Sequence, residues 1–177
     1  MDLQEQFGSI DIYAFDQLLR GRIAPGMRIF DAGCGHGRNL VYLLRQGYEV
    51  YGVDADPAAI ASIRQLASSL APALSGDNFR VARLETIPFP YEFADVVLCN
   101  TVLHFARDDD HFQEMLQGTW NVLKPGGLYF CRLASTIGTE NILKHLGGRR
   151  YHSPDGADRY LVDAELLEHW TRQLVRR

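Results

Sequence analysis

The sequence is poor in what covalent or metal staples need. Its three cysteines, Cys34, Cys99 and Cys131, show no C-x-x-C spacing and have no histidine at metal-site spacing. That excludes a disulfide framework and a structural zinc site, and fits a reducing compartment. No uninterrupted apolar run approaches the ~18 to 20 residues of a membrane span. Met1 to Gln6 carries acidic and amide residues where a secretory leader needs basic ones. A basic excess is also missing: 22 acidic against 18 basic side chains give a formal charge of −4, which argues against the basic face of a non-specific nucleic-acid binder. The expectation is a cytoplasmic protein with a small-molecule partner, no membrane and no nucleic acid. What is present is ordinary globular composition, 46% apolar and 23% charged over 177 residues. Such a length suits one domain that buries about two thirds of the surface its unfolded chain exposes.

From Arg28 onward, strand-like and helix-like stretches alternate, the pattern of an α/β fold with a mainly parallel sheet and crossover helices. Strands are predicted over Met27 to Asp31, Glu49 to Val53, Phe79 to Ala82, Ala94 to Cys99 and Leu128 to Leu133. The apolar run Val96-Val97-Leu98 predicts that the fourth is buried on both faces. Helices are predicted over Arg38 to Gln46, over Pro57 to Leu70 with Asp56 as N-cap, over His111 to Val122, and from near Asp163 to the end. Asp108, Asp109 and Asp110 read as capping and dipole stabilisation of the third helix rather than as metal ligands. Lys124-Pro125-Gly126-Gly127 reads as a turn. Residues 1–24 form an expected N-terminal cap, and 135–162 an irregular segment on the substrate side of a single domain spanning 1–177.

The segment Ile29-Phe30-Asp31-Ala32-Gly33-Cys34-Gly35-His36-Gly37-Arg38-Asn39 puts glycines directly after a strand and before a helix, where the backbone can approach a ligand closely. Dinucleotide sites of the G-x-G-x-x-G type set their last glycine beneath a pyrophosphate; here that position is Arg38. The first strand ends at Asp31, a carboxylate that repels phosphate but accepts hydrogen bonds from an ammonium group. Asp54 ends the second strand roughly 20 residues beyond the glycines, where an acid can accept from both hydroxyls of a ribose. The implied ligand has a ribose and an α-amino group but no phosphate.

S-adenosylmethionine meets that description. Asp31-Ala-Gly-Cys-Gly-His-Gly, Val53-Asp54-Ala-Asp-Pro, Ile87-Pro-Phe-Pro, Asp95-Val-Val-Leu-Cys-Asn100 and Leu123-Lys-Pro-Gly-Gly closely resemble, in order and spacing, the motifs of the class I methyltransferases. Gly37-Arg38-Asn39 and Gly47-Tyr48 look most like the small-molecule members related to the tellurite-resistance and thiopurine groups. The resemblance implies a Rossmann-like doubly wound sheet with helices on both faces, S-adenosylmethionine as cofactor, S-adenosylhomocysteine as product, and no metal. It further implies that Asp31 and the Gly33 backbone, within the Gly33-Cys34-Gly35 turn, hold the methionine moiety, that Asp54 takes the ribose diol and that Ala55 borders adenine. Where the family often has an acid after the third strand, this chain has Arg83, so Leu84 and Glu85 are the residues left for adenine. Asn100 falls where the family places the residue nearest the reactive methyl. The Pro-Pro-aromatic continuation of DNA amino-methyltransferases is absent after it; Thr101-Val102-Leu103 follows instead. His104 is the candidate general base, with a structural role as the alternative, and Tyr13 the candidate N-terminal contact to the cofactor.

The acceptor pocket is expected beyond the carboxyl ends of the strands, walled by the N-terminal segment with Phe7, Ile10, Tyr13 and Phe15, whose aromatics alternatively only seal the core, and by Tyr151 and His152, with Arg149 and Arg150 either attracting an anionic acceptor or simply solvated. Two other functions remain open: a non-catalytic S-adenosylmethionine-binding module, and an NAD-dependent oxidoreductase, which the residue at Arg38 disfavours. Class I enzymes usually finish with an antiparallel hairpin beside strand five. The final helix here runs to within a few residues of Arg177, so that hairpin is expected to be missing, either in a shortened chain or in a reduced version of the fold. The edge of strand five is then left free to pair with a second copy.

Overall fold

A computed structural model describes residues 2–139 and 141–175; of the expected cap and irregular segments, residues 1 and 140 lie outside that description. Two short N-terminal helices, α1 (Leu3–Phe7) and α2 (Ile12–Leu19), precede a βα alternation: β1 (Arg28–Ala32), α3 (Val41–Arg45), β2 (Glu49–Asp54), α4 (Pro57–Leu70), β3 (Phe79–Val81), β4 (Ala94–Asn100), α5 (Asp109–Asn121) and β5 (Leu123–Arg132). Then come β6 (Lys144–Gly147), β7 (Arg150–His152), β8 (Asp158–Tyr160) and α6 (Ala164–Val175). The first five strands are all parallel, in the order β3-β2-β1-β4-β5. This is the expected Rossmann-like sheet, and its strand order reverses between β1 and β4, the point at which open α/β sheets bind ligands.

Alternation within each strand feeds two cores. Ile29, Val96 and Leu98 join Leu40, Leu43, Ile60 and Ile63 of the α3–α4 layer, while Phe30, Val97 and Cys99 join Phe112, Met115 and Leu174 of the α5–α6 layer. Each large apolar side chain fully withdrawn from water contributes about 1.5–3 kcal/mol, so both faces of the sheet are anchored independently.

Three expectations change in detail. The predicted first helix is shorter, because Leu40 N–H bonds back to the Gly37 carbonyl in a turn and Asn39 is occupied by the backbone N–H of Asp11, which leaves α-helix only from Val41. The predicted turn Lys124 to Gly127 is an irregularity inside β5: pairing jumps from Ala94–Leu123 to Val96–Leu128, and Asp95 ties it down through Lys124 Nζ at 2.6 Å and the Arg28 N–H at 2.7 Å. The segment read as irregular contains a separate antiparallel sheet, β6-β7-β8. No sixth or seventh strand joins the parallel sheet among the described residues, so β5 is its edge.

Candidate active site

Both N–H groups at the start of the glycine turn, of Gly33 and Cys34, donate to the Val53 carbonyl at 2.9 Å. That pair of bonds holds the turn against the end of β2. Gly33 has φ +76°, and a Cβ there would meet Val102 Cγ2 at 2.4 Å, so the turn and the segment after β4 close on one another only because a side chain is missing. Asp54 accepts the Gly35 N–H on one oxygen and the Asp56 N–H on the other, each at 2.9 Å, and both oxygens keep a lone pair for a further donor. Cys34 is buried against Gly52; burial and the nearby Asp31 and Asp54 charges push its thiol far above the ordinary range, so it serves as a small packed residue.

Gly33, Asp54, Ala55, Leu84 and Glu85 come together around a cavity of about 320 Å³. The same lining contains residues that sequence reasoning missed: Val102 and Phe105 after β4, Arg107, and His111 and Met115 one turn apart on α5. His111 is the informative addition. Its Nδ1 accepts the Arg107 N–H at 3.1 Å, which fixes the tautomer, so Nε2–H donates to Glu85 Oε1 at 2.7 Å. Burial pushes the Glu85 carboxyl up, but hydrogen bonds from its own backbone and from His111 outweigh it and hold Glu85 below the ordinary carboxylate range. The Glu85 carboxylate, with two lone pairs on each oxygen, keeps accepting capacity beyond these bonds. The only signal in the sequence was the i, i+4 spacing of His111 and Met115 behind the Asp108 cap, which accepts the His111 N–H at 2.8 Å.

At the carboxyl ends of β1 and β4, two polar side chains are buried, and one of them, Asn100, has no hydrogen-bond partner among the described residues. Asn100 is 6% exposed, and neither its carboxamide nitrogen nor its oxygen finds a hydrogen bond. Asp31 is 2% exposed; burial raises its carboxyl to about 7, Arg38 opposes this and Asp54 adds to it. Unsatisfied buried polar groups each cost about 1–3 kcal/mol, so nothing in folding favours them. The chemistry of this donor and acceptor set fits an adenosyl amino acid: a carboxylate for an ammonium, a carboxylate for a diol, and an apolar slot ending in a held acid.

A second cavity, about 440 Å³, lies on the other side of the turn that follows β4. Val102 and Phe105 face the first cavity, whereas Thr101 and His104 face the second, so the single helical turn Leu103–Phe105 is the partition between them. Thr101 has φ +61°, a conformation a β-branched residue adopts only under constraint; its N–H bonds to the Arg132 carbonyl at 2.7 Å and its hydroxyl to the Asn100 carbonyl at 2.6 Å. Burial lowers the His104 imidazole to about 4, with Arg159 lowering it further and Asp155 opposing. The outer wall comes from residues after β5 and from the β6–β8 segment, including Ile137, Ile142, Ser153 and Arg159, but neither Tyr151 nor His152 is part of the lining. Arg149 and Arg150 are engaged elsewhere, with Asp163 and with the Ala106 carbonyl.

The N-terminal cap reaches this region by a different route. Phe7 packs on Phe15 and Tyr42, each with centroids 4.9 Å apart, so these aromatics seal α1 and α2 onto α3. Asp11 is buried and paired with Arg132, and exposed Tyr13 lies with its ring 5.4 Å from the Arg132 guanidinium carbon, outside both linings. A third cavity, between β5, α5 and α6, is walled by apolar groups such as Trp120, Leu166 and Trp170; it shares Leu103 with the partition turn and Leu133 with the second cavity.

The sequence profile of a family described as "Methyltransferase domain" matches residues 30–131. The uncharacterized methyltransferase YodH of Bacillus subtilis (strain 168) is 34% identical over 121 residues, 68% of this chain and 46% of that protein. Among solved structures, the PH0226 protein of Pyrococcus horikoshii OT3 superposes with a TM-score of 0.70 at 19% identity, over 93% of this chain and 78% of that one. A TehB-like SAM-dependent methyltransferase of Corynebacterium glutamicum is 27% identical, with a TM-score of 0.51, over 66% of this chain and 60% of that one. The chain spans about half the length of the curated relatives it matches.

Proposed function

The chain belongs to the methyltransferase-domain family, and we propose from that premise that it is a single-domain, cytoplasmic enzyme transferring a methyl group from S-adenosylmethionine to a small-molecule acceptor. When bound, the cofactor supplies a sulfonium-activated methyl group. The chain's own residues align the partners, and proximity and orientation are worth up to about 7–11 kcal/mol of such a barrier. Asp31 accepts from the ammonium, Asp54 accepts from the ribose hydroxyls, Ala55 and Leu84 border adenine, and the Glu85 carboxylate accepts from the adenine amino group. The Gly33-Cys34-Gly35 backbone admits the methionine portion, and Asn100 turns its carboxamide toward the methyl end. Tyr13 covers the entrance from the N-terminal cap. In the second cavity the neutral imidazole of His104 takes the proton of an acceptor that must lose one. No residue of this set calls for a metal ion or for a nucleic acid.

One observation carries the reading: at the switch point of the sheet the Asp31 carboxyl is buried beside Asn100, whose carboxamide has no hydrogen-bond partner among the described residues. A pyrophosphate beside Asp31 would meet a negative charge, which disfavours a nicotinamide dinucleotide. Titration calorimetry with S-adenosylmethionine, S-adenosylhomocysteine and NADH tests it. The adenosyl compounds are expected to bind and NADH not to; the reverse overturns the reading. Asp54→Ala should weaken S-adenosylhomocysteine by about 1.5–3 kcal/mol, roughly 10- to 150-fold, for loss of hydrogen bonds to a charged group. Unchanged affinity would remove Asp54 from the site. Tight binding without turnover on a broad acceptor panel would favour a binding module over an enzyme. Pairing of two copies through the β5 edge belongs to the same proposal.

A further inference from the structure

The second cavity has a chemical character of its own. Both formal charges of its described lining are positive, Arg132 and Arg159. Their carboxylate partners stand outside that lining. Asp155 takes one N–H from each terminal nitrogen of Arg159, at 2.8 and 2.7 Å, and Asp11 engages one terminal nitrogen of Arg132. A guanidinium has five N–H donors in a fixed fork, so these contacts orient the two groups and leave donors over. His104 shares the same lining; its imidazole makes no hydrogen bond among the described residues and, held low by burial, is uncharged at neutral pH. The rest of the wall is apolar, with Leu133, Ile137, Ile142 and Leu161 among its residues; Ile137 and Ile142 are 57% and 61% exposed, as groups awaiting an apolar ligand would be.

Resting on the methyl-transfer reading, we propose that this cavity is the acceptor subsite and that it selects a small organic oxyanion, an apolar body bearing one anionic oxygen group held by Arg159. A protonated amine would meet N–H donors where it needs acceptors, and a neutral carbonyl or hydroxyl would accept from them about half as strongly as an anionic oxygen. A carboxylate and an ionised phenol share the required chemistry.

The test uses the whole chain saturated with S-adenosylhomocysteine at pH 8, with phenylacetate, 4-nitrophenol, phenylacetamide and phenethylamine as probes in calorimetry or ligand-observed NMR. The two anions are expected to bind at least tenfold more tightly than the amide or the amine. Whichever anion binds better identifies the source of the oxyanion. Arg159→Gln should abolish the preference and Arg159→Lys retain it, while S-adenosylhomocysteine binding by each variant reports an intact fold. Amide or amine binding equal to that of the anions, or a preference that survives in Arg159→Gln, overturns the proposal, and the wild-type ranking decides even if a variant fails to fold. A wild-type chain that binds no adenosyl compound overturns the methyl-transfer reading and this one with it. Adenosyl binding without anion preference overturns this one alone.

Discussion

In the proposed site a single residue, Asp31, would tie ligand binding to pH. Its carboxyl titrates at about 7 in the fold, against an ordinary 3.8. The folded chain therefore holds a proton that the unfolded chain has released between those values, and raising the pH through this window lowers the stability of the ligand-free protein. A bound ammonium needs the ionised form. Affinity for S-adenosylhomocysteine is thus expected to rise with pH up to about 7 and then level off, with up to about tenfold lost per unit below it. Calorimetry at pH 6, 7 and 8 checks this; Asp31→Asn should bind weakly and without pH dependence, and a flat wild-type profile would remove Asp31 from ammonium recognition. At this scale the sequence was legible where function is local. Gly33, Asp54, Ala55, Leu84 and Glu85 sit at or just beyond the ends of successive strands, so naming the strands placed them around one cavity. His111, Phe105 and Arg107 were not legible, since they reach that cavity only through tertiary packing of α5 and of the turn after β4.

Packing of one element on another sets the shape of the first cavity around Leu84 and Glu85. Gly118 lies in the last turn of α5; inside a helix glycine normally costs about 0.8–1 kcal/mol relative to alanine. Here a Cβ would stand 1.8 Å from the Leu84 carbonyl oxygen, so the glycine is what lets α5 press on the turn that carries Leu84 and Glu85. Gly118→Ala is accordingly expected to destabilise, by about 1–3 kcal/mol of overpacking, and to lower the thermal midpoint by about 2–4 °C for each kcal/mol. Affinity for S-adenosylhomocysteine should fall with it, because Glu85 moves relative to Asp54. Thermal unfolding and calorimetry on the same variant decide the matter: a midpoint equal to or above wild type would mean that the contact is slack. The parallel strands were readable because burial on both faces leaves continuous apolar runs such as Val96-Val97-Leu98. The strands β6, β7 and β8 were not, because they have only three or four residues each, are largely exposed and show no apolar alternation.

At the scale of the molecule, the parallel sheet ends on β5 among the described residues. Among the described residues β5 pairs with β4 and with no other strand, so one row of its backbone donors and acceptors has no sheet partner there, and Cys131 and Arg132 are exposed beside it. Such an edge is a template for a further strand, and natural proteins usually blunt it with charge, proline or cover. Pro125 and the irregularity at Lys124 to Gly127 blunt the first half. The regular half, from Leu128 onward, carries a charge only at its last residue. Two copies meeting there antiparallel would join their sheets into one, but over an area well below the ~1,200 Å² typical of stable complexes. The expected result is weak self-association, with a dissociation constant of about 1 μM to 1 mM, seen as a concentration-dependent sedimentation coefficient. Cys131→Lys should suppress it by placing like charges across the seam, whereas salt should weaken the effect of that substitution by screening them. A wild-type chain that stays monomeric at about 1 mM, with the β5 edge amides exchanging freely with solvent, would show that the edge is covered or blunted enough already.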